Sequence, residues 1–239
     1  MSWKEKLIIA LDVSDADTAL KLVDMLGEDV KIFKVGFELF VTAGPAIVKK
    51  IQDKGKRVFL DLKFHDIPNT VSKAAIAATR LGVYMFNVHT SGGIEMMRRC
   101  RDSVFDLCAK ENISRPKIIG VTALTSINNE ILKNEIGIQR SVKTLVKNLA
   151  SLALKAGLDG VVASSQEIAM VKQSCGKDFI VVTPGIRPSW IPPDDQRRTA
   201  TPKEALREGA DYIVMGRGIL KHEDPVKALE LISLDILTA

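Results

Sequence analysis

The feature that most constrains the fold is an alternation of short apolar runs and amphipathic segments along the 239 residues. Runs rich in Ile, Val and Phe are typical of strands that are buried on both faces. The segments between them, such as DADTALKLVDML and NTVSKAAIAATRLG, repeat apolar residues three and four positions apart, which is the helical period. There are eight apolar runs: LIIALD, IFKVG, RVFLDLK, YMFNVH, KIIGVTAL, DGVVAS, FIVVTPG and DYIVMGRG. Eight strand and helix units in a chain of this length predict an α/β fold, a closed parallel (β/α)8 TIM barrel.

Length and composition favour one domain. Barrels of this class commonly occupy about 200–250 residues, and no linker or low-complexity segment divides the sequence. We therefore expect a single (β/α)8 barrel domain over residues 1–239. No apolar run approaches the roughly 20 residues of a membrane span, and the first residues lack the long apolar region of a signal peptide. These features predict a cytoplasmic protein without membrane contact.

Composition also argues against several kinds of site. The three cysteines form no CxxC pair, and the three histidines lie far apart, so neither a disulfide framework nor a metal site is predicted. The net charge of +5 comes from basic residues interspersed with acidic ones, and aromatic residues make up only 5% of the chain. A nucleic-acid binder would present an aromatic-rich basic face, so no nucleic-acid partner is predicted.

Polar residues cluster where a barrel of this kind places its active site, at the carboxyl ends of the strands. Because side chains alternate between strand faces, Asp61 and Lys63 are predicted to point the same way, and Lys34 on the neighbouring strand can join them. An isolated Asp-x-Lys in a strand is more often a structural ion pair, yet burying such charges is costly unless they are paired. The polar residues at strand ends include Asp12, Lys34, Asp61, Lys63, Asn87, His89, Thr125, Ser126 and Arg217.

The run DLKFHDIPNT, from Asp61 to Thr70, closely resembles the signature of the orotidine 5'-phosphate decarboxylase family. The resemblance extends along the chain, in order, through IIALDV, FKVGFELF, NVHTSGG, VTALTS, TPGIRP and VMGRGI. The segment RPSWIPPDDQRRTATP resembles the phosphate-covering loop of the bacterial-type members. A set of motifs in this order is specific to the family.

The resemblance implies a cofactor-independent lyase that converts orotidine 5'-monophosphate to uridine 5'-monophosphate and CO2, in pyrimidine biosynthesis. Lys34, Asp61, Lys63 and Asp66 would form an alternating array of charges, with Lys63 as the proton donor to C6 of the pyrimidine. It also implies a homodimer in which Asp66 and Thr70 reach into the site of the partner. The implied substrate-binding residues are Asp12, Lys34, Asp61, Lys63, Thr70, Thr125, Ser126, Pro184, Arg187, Gln196, Gly216 and Arg217.

The resemblance implies separate contacts for the ribose, the base and the phosphate of the nucleotide. Asp12 would accept a hydrogen bond from a ribose hydroxyl, and Thr125 with Ser126 would meet the base. Arg217 and the neighbouring glycine N–H groups, placed before the last predicted helix, would bind the 5'-phosphate. The loop after the seventh strand, which carries Arg187 and Gln196, would close over that phosphate; these last assignments follow from the resemblance.

Other functions stay open. A related metal-dependent barrel, either a keto-gulonate phosphate decarboxylase or a ribulose-phosphate epimerase, would share the fold and the Asp-x-Lys pattern. It would need carboxylates or histidines grouped as metal ligands at strand ends. A non-catalytic nucleotide-binding barrel is a further alternative. Lys34 on the second strand and the long loop with Gln196 favour the nucleotide enzyme.

Overall fold

The barrel predicted from the apolar runs is confirmed. The computed structural model describes residues 3–188, 190 and 199–237. Its strands are β1 (Leu7–Ala10), β2 (Ile32–Val35), β3 (Arg57–Phe64), β4 (Met85–His89), β5 (Lys117–Val121), β6 (Gly160–Val162), β7 (Ile180–Thr183) and β8 (Tyr212–Met215). In this described part of the chain the eight strands are parallel and pair in sequence order, and β8 pairs with β1 to close the barrel. Each apolar run contributes one strand.

Helices cover the outside of the barrel between successive strands. They are α1 (Trp3–Lys6), α2 (Ala16–Leu26), α3 (Phe37–Ala43), α4 (Ala46–Gln52), α5 (Pro68–Arg80), α6 (Gly93–Glu111), α7 (Asn129–Asn134), α8 (Val142–Ala156), α9 (Ile168–Cys175), α10 (Pro202–Arg207), α11 (Arg217–Leu220) and α12 (Pro225–Leu237), with 3-10 turns at Thr90–Gly92 and Ser165–Glu167. None of these described helices is both long enough and apolar enough to span a bilayer.

Local sequence signals determine where the helices begin. The carboxylate of Asp15 accepts a hydrogen bond from the N–H of Thr18, at 2.8 Å, and so caps α2. Pro68 is the first residue of α5, a position where its missing N–H is not needed. This start leaves only residues 65–67 between β3 and α5, so Asp66 lies in a short loop at the carboxyl end of the barrel.

Both faces of the sheet are apolar, which explains the nearly continuous apolar runs. Alternate side chains point into the barrel or out toward the helices. The inner cluster includes Ile8, Ile32, Phe59, Met85, Ile119, Val182 and Val214. The larger outer cluster includes Ile9, Phe33, Val58, Phe86, Ile118, Val181 and Ile213. The barrel interior is therefore a packed core.

Aromatic and basic residues fill the amino-terminal end of the barrel. The hydroxyl groups of Tyr84 and Tyr212 lie 2.6 Å apart, beneath the inner cluster. The guanidinium of Arg57 lies over the ring of Tyr84, 4.4 Å from its centroid. Because these side chains close the amino-terminal end, the space for a ligand lies at the carboxyl end.

The outer apolar cluster should dominate stability. Ile213→Ala removes a fully buried side chain and should lower the free energy of unfolding by about 2–5 kcal/mol, because it leaves a cavity against the helices. Met25→Ala, at a side chain that is 50% exposed, is the matched control and should change it by less than about 0.5 kcal/mol. Denaturant unfolding followed by circular dichroism measures both values, and equally small losses would contradict this packing.

Candidate active site

A cavity of about 260 Å³ opens at the carboxyl ends of the strands. Its floor is the top of the inner apolar cluster, contributed by Phe59, Val182 and Val214. Its walls bring together residues from distant parts of the sequence. Among the residues predicted for the site, those that line the cavity are Asp12, Lys34, Asp61, Lys63, Thr125, Pro184, Arg187, Gly216 and Arg217.

Charges of opposite sign alternate along one wall of the cavity. The ammonium of Lys34 lies 2.9 Å from Asp12 Oδ1 and 3.3 Å from Asp61 Oδ2. The other oxygen of Asp61, Oδ1, lies 2.7 Å from the ammonium of Lys63. The contacts therefore run Asp12, Lys34, Asp61, Lys63. Lys34, Asp61 and Lys63 follow one another as in the predicted array, and the place of Asp66 in that array stays a prediction.

The central pair of this row is shielded from water. The side chains of Lys34 and Asp61 are 11% and 13% exposed. Burial lowers the pKa of Lys34, but the carboxylates of Asp61 and Asp12 outweigh that effect and raise it above its ordinary value. Burial likewise raises the pKa of Asp61, yet the ammonium groups of Lys34 and Lys63 and a hydrogen bond from Asn87 bring it below its ordinary value. Both groups therefore stay charged at neutral pH.

The backbone of β3 is irregular where the charges lie. Lys63 has a φ of 45°, in the left-handed region that residues other than glycine seldom adopt. The pairing of β3 with β4 shifts register between Leu60 and Phe64. Both Asp61 and Lys63 line the cavity, as their predicted common direction requires. The strand is not regular between them, however, because a bulge turns the chain at Lys63.

Asn87 on β4 joins the two charged residues of β3. Its Oδ1 accepts a hydrogen bond from the backbone N–H of Lys63 at 2.7 Å, and its Nδ2 donates to Asp61 Oδ1 at 2.7 Å. Only 1% of its surface is exposed. Asn87 was predicted at a strand end without a role; the available signal was its amide side chain between the apolar residues Phe86 and Val88.

Phe37, the first residue of α3, is a second neighbour that the sequence did not reveal. Its ring centroid lies 5.3 Å from Lys63 Nζ, within the range of a cation–π contact. The side chain remains 54% exposed. Phe37 therefore forms part of the outer edge beside the Lys63 ammonium.

Residues after β7 and β8 form the basic end of the cavity. Arg187 and Arg217 both line it. Gly216 packs so closely under Asp12 that an added Cβ would lie 3.4 Å from Asp12 Oδ2 and 3.3 Å from the Cβ of Ala10. Arg217 begins the single-turn helix α11, and residues 221–224 separate that helix from α12.

Three of the predicted residues that the structure describes do not line this cavity: Asp66, Thr70 and Ser126. Asp66 and Thr70 are exposed, and Asp66 Oδ1 accepts a hydrogen bond from the N–H of Ile67 at 2.7 Å. Ser126 is also exposed, and its contact with a base stays a prediction. Gln196 lies outside the described residues.

The carboxylates at the strand ends are paired with lysines. Within residues 3–188, 190 and 199–237, no three His, Cys, Asp or Glu side chains are grouped so that they could hold a metal ion. Asp12 and Asp61 instead accept from Lys34 and Lys63. The cavity thus combines a row of fixed charges on one side with arginines on the other, which suits an anionic ligand.

Known proteins resemble this chain over nearly its whole length. The family model described as orotidine 5'-phosphate decarboxylase / HUMPS family matches residues 5–232. Orotidine 5'-phosphate decarboxylases from Moorella thermoacetica and Syntrophotalea carbinolica are 51% and 49% identical to it over 236 residues, which is 99% of this chain and 94% and 96% of theirs.

Solved structures agree with the sequence relatives. The crystal structure of orotidine 5'-phosphate decarboxylase from Lactobacillus acidophilus is 38% identical, with a TM-score of 0.85, and the match covers 98% of this chain and 99% of that one. An uncharacterized conserved protein from Geobacillus kaustophilus matches with a TM-score of 0.83 and 36% identity, over 96% of this chain and 99% of that one. With a family model and close relatives that span almost the entire sequence, the chain belongs to the orotidine 5'-phosphate decarboxylase / HUMPS family.

Proposed function

We propose that this protein decarboxylates orotidine 5'-monophosphate to uridine 5'-monophosphate and CO2 without a cofactor. The observation that carries the proposal is the ammonium of Lys63, held 2.7 Å from buried Asp61 at the edge of the cavity. The relatives that share about half of the sequence are named for this reaction. Lys63, Asp61, Lys34 and Asp66 are the proposed catalytic residues.

The difficulty of the reaction lies in the carbanion that it creates. When the bond between C6 and the carboxylate breaks, CO2 leaves and the electron pair stays on C6, in an orbital that the ring cannot delocalise fully. A positive charge fixed beside C6 stabilises this pair. Lys63 supplies that charge and then gives its proton to C6, which yields the product; the resulting amine recovers a proton from solvent.

The neighbouring charges fix Lys63 before the substrate arrives. Asp61 accepts from Lys63 with one oxygen and lies near Lys34 with the other, so its carboxylate is held between two ammonium groups. Because these contacts already exist in the folded protein, little reorganisation is needed as charge develops on C6. Lys34 and Asp12, 2.9 Å apart, are placed to bind the ribose hydroxyls.

The rest of the cavity is assigned to binding. The guanidinium groups of Arg187 and Arg217 suit the phosphate dianion, and Gly216 and Pro184 line the same end. Thr125 is the described candidate for a contact with the base. Phosphate binding far from C6 can supply free energy that orders the site for the chemical step.

We also propose a homodimer in which each site takes Asp66 and Thr70 from the partner. Both residues are exposed beside the cavity of their own chain and do not line it. Large apolar side chains of the loop after β3 and of α3 are exposed as well: Ile67 at 67%, Phe37 at 54% and Val41 at 78%. Exposed apolar surface of this kind is commonly covered in an assembly.

We assign the reaction to the cytoplasm. The support is cysteine chemistry: Cys100, Cys108 and Cys175 are all free thiols, and a reducing compartment keeps thiols in that state. Burial raises the pKa of Cys100 to about 12, which keeps that thiol protonated and unreactive.

The reaction can be tested directly with protein treated with EDTA. Wild type should convert orotidine 5'-monophosphate to uridine 5'-monophosphate. The conversion is measured as the loss of substrate absorbance. Lys63→Ala should lower kcat by at least about 10⁴-fold, because it removes both the fixed charge and the proton donor. Lys49→Ala removes a lysine whose side chain is 73% exposed, and it should leave kcat unchanged. Folded wild type that fails to convert the substrate would refute the proposal, and sugar phosphates with added Mg²⁺ would be tested next.

Sharing of the site between subunits predicts complementation. Lys63→Ala and Asp66→Ala chains should each be inactive alone. Mixed in equal amounts, they should recover about one quarter of wild-type activity, since half of the dimers are hybrids and each hybrid has one intact site.

The control mixes Lys63→Ala with Lys34→Ala. These two residues line the same cavity of one chain, so neither site of their hybrid is intact and no activity should return. If the first mixture stays inactive after subunit exchange has been verified, Asp66 acts within its own chain.

A further inference from the structure

The side chain of Asn87 is hydrogen-bonded both to the backbone of Lys63 and to the carboxylate of Asp61. We propose that Asn87 is a positioning residue of the decarboxylation: its amide holds the left-handed backbone of Lys63 and the carboxylate of Asp61 in one fixed arrangement. This inference rests on the proposed function and adds a residue to its machinery.

The register of the sheet shows why the backbone at Lys63 needs a partner. Residues 61–63 of β3 lie opposite Asn87 alone, so the extra residues of the bulge leave the regular ladder. The N–H of Lys63 finds its acceptor in the Asn87 side chain, at 2.7 Å. The pairs on either side of the bulge are Leu60 with Phe86 and Phe64 with Val88. The Asn87 amide thus stands in for a missing ladder partner.

The two contacts also fix which way the amide points. The N–H of Lys63 can only donate, and an ionised carboxylate can only accept. Oδ1 of Asn87 must therefore face Lys63, and Nδ2 must face Asp61, as the distances of 2.7 Å for both bonds show. Neither an aliphatic side chain nor an ionised carboxylate can make both bonds, whereas an amide can.

Asp61 transmits this constraint to the Lys63 ammonium. The same oxygen, Oδ1, accepts from Asn87 Nδ2 and from Lys63 Nζ, each at 2.7 Å. Rotation of the carboxylate would break the bond from Asn87 and move the oxygen to which the ammonium is bound. Asn87 is almost fully buried, and the bonds in which it takes part are therefore protected from competition with water.

Asn87→Ala removes both bonds and tests the proposal in the full-length protein. We expect kcat for orotidine 5'-monophosphate to fall by about 10²-fold, because displacement of a reacting group by about 1 Å has an effect of that size. KM should change by less than about threefold, since Arg217 and the phosphate end of the cavity are untouched. Because a loss of folded protein would also lower the apparent kcat at constant KM, kcat is calculated per folded molecule, with the folded fraction measured by circular dichroism.

The matched control is Thr90→Val, three residues further along the chain. Thr90 is fully buried, and its hydroxyl donates to the carbonyl of Val121 at 2.8 Å. The variant therefore also loses a buried side-chain hydrogen bond, but one that does not reach Asp61 or Lys63. Its thermal unfolding should resemble that of Asn87→Ala, whereas its kcat should stay within about twofold of wild type.

Asn87→Asp can keep the bond from the N–H of Lys63 while it loses the bond to Asp61. The carboxylate can still accept from the N–H of Lys63, but it faces Asp61 with a second negative charge. One proton shared by the two carboxyl groups restores a hydrogen bond, and facing carboxylates bind such a proton above their ordinary pKa. The other charged groups nearby are Lys34 and Lys63. His89 lies on the same strand, against the ring of His65, and burial lowers its pKa below the ordinary value. The deficit in kcat of this variant should shrink as the pH falls from about 8 to about 5, a trend absent from Thr90→Val.

The outcomes distinguish this inference from the proposed function. If wild type is inactive with orotidine 5'-monophosphate, the proposed function fails. If wild type is active and folded Asn87→Ala keeps kcat within about threefold, the positioning role alone is overturned. Failure of both Asn87 variants to fold would overturn it too, because Asn87 would then be required by the barrel itself. If Asn87→Ala does not fold but Asn87→Asp does, the pH dependence of the Asn87→Asp deficit in kcat is the test. A deficit that shrinks as the pH falls supports the positioning role, and one that does not change with pH overturns it.

Discussion

The ion pairs of Asp61 with Lys34 and Lys63 are the interactions on which the site depends. A single charge buried at the mouth of an apolar barrel is costly, and removal of one partner would leave the others uncompensated. Here each oxygen of Asp61 meets a different ammonium group, and Asp12 continues the row. The mutual pairing lets the folded protein hold the Lys63 side chain beside the place where a carbanion would form.

The charged residues of the site and the apolar residues that stabilise the fold occupy different layers of the barrel. Tyr84 and Tyr212 close the amino-terminal end, and the inner apolar cluster lies between them and the cavity. The outer cluster packs the strands against the helices and contributes most of the buried apolar surface. The charges of the site lie at the carboxyl ends of the strands, so the site can carry unfavourable burial without weakening the packed layers beneath it.

Backbone strain accompanies the charges at one residue. A left-handed conformation at a residue such as Lys63 costs on the order of 1–2 kcal/mol, and such outliers persist where surrounding contacts enforce them. The φ of 45° at Lys63 coincides with a register shift of β3 and with the hydrogen bond to Asn87. The strained backbone of Lys63, the bulge of β3 and the amide of Asn87 therefore act together, and together they set the direction of the Lys63 side chain.

The sequence by itself determined the eight strands, the closed barrel and the carboxyl-end location of Asp12, Lys34, Asp61 and Lys63, because hydrophobic period and strand polarity are local properties that a single chain displays. Only the tertiary structure decided which charges touch. The contact between Asp12 and Lys34 joins residues 22 positions apart, and Asn87 lies 24 positions from Lys63. No local pattern encodes such pairs, since they arise when neighbouring strands align. The bulge at Lys63 is of the same kind: its residues favour a regular strand, and the register with β4 overrides that preference.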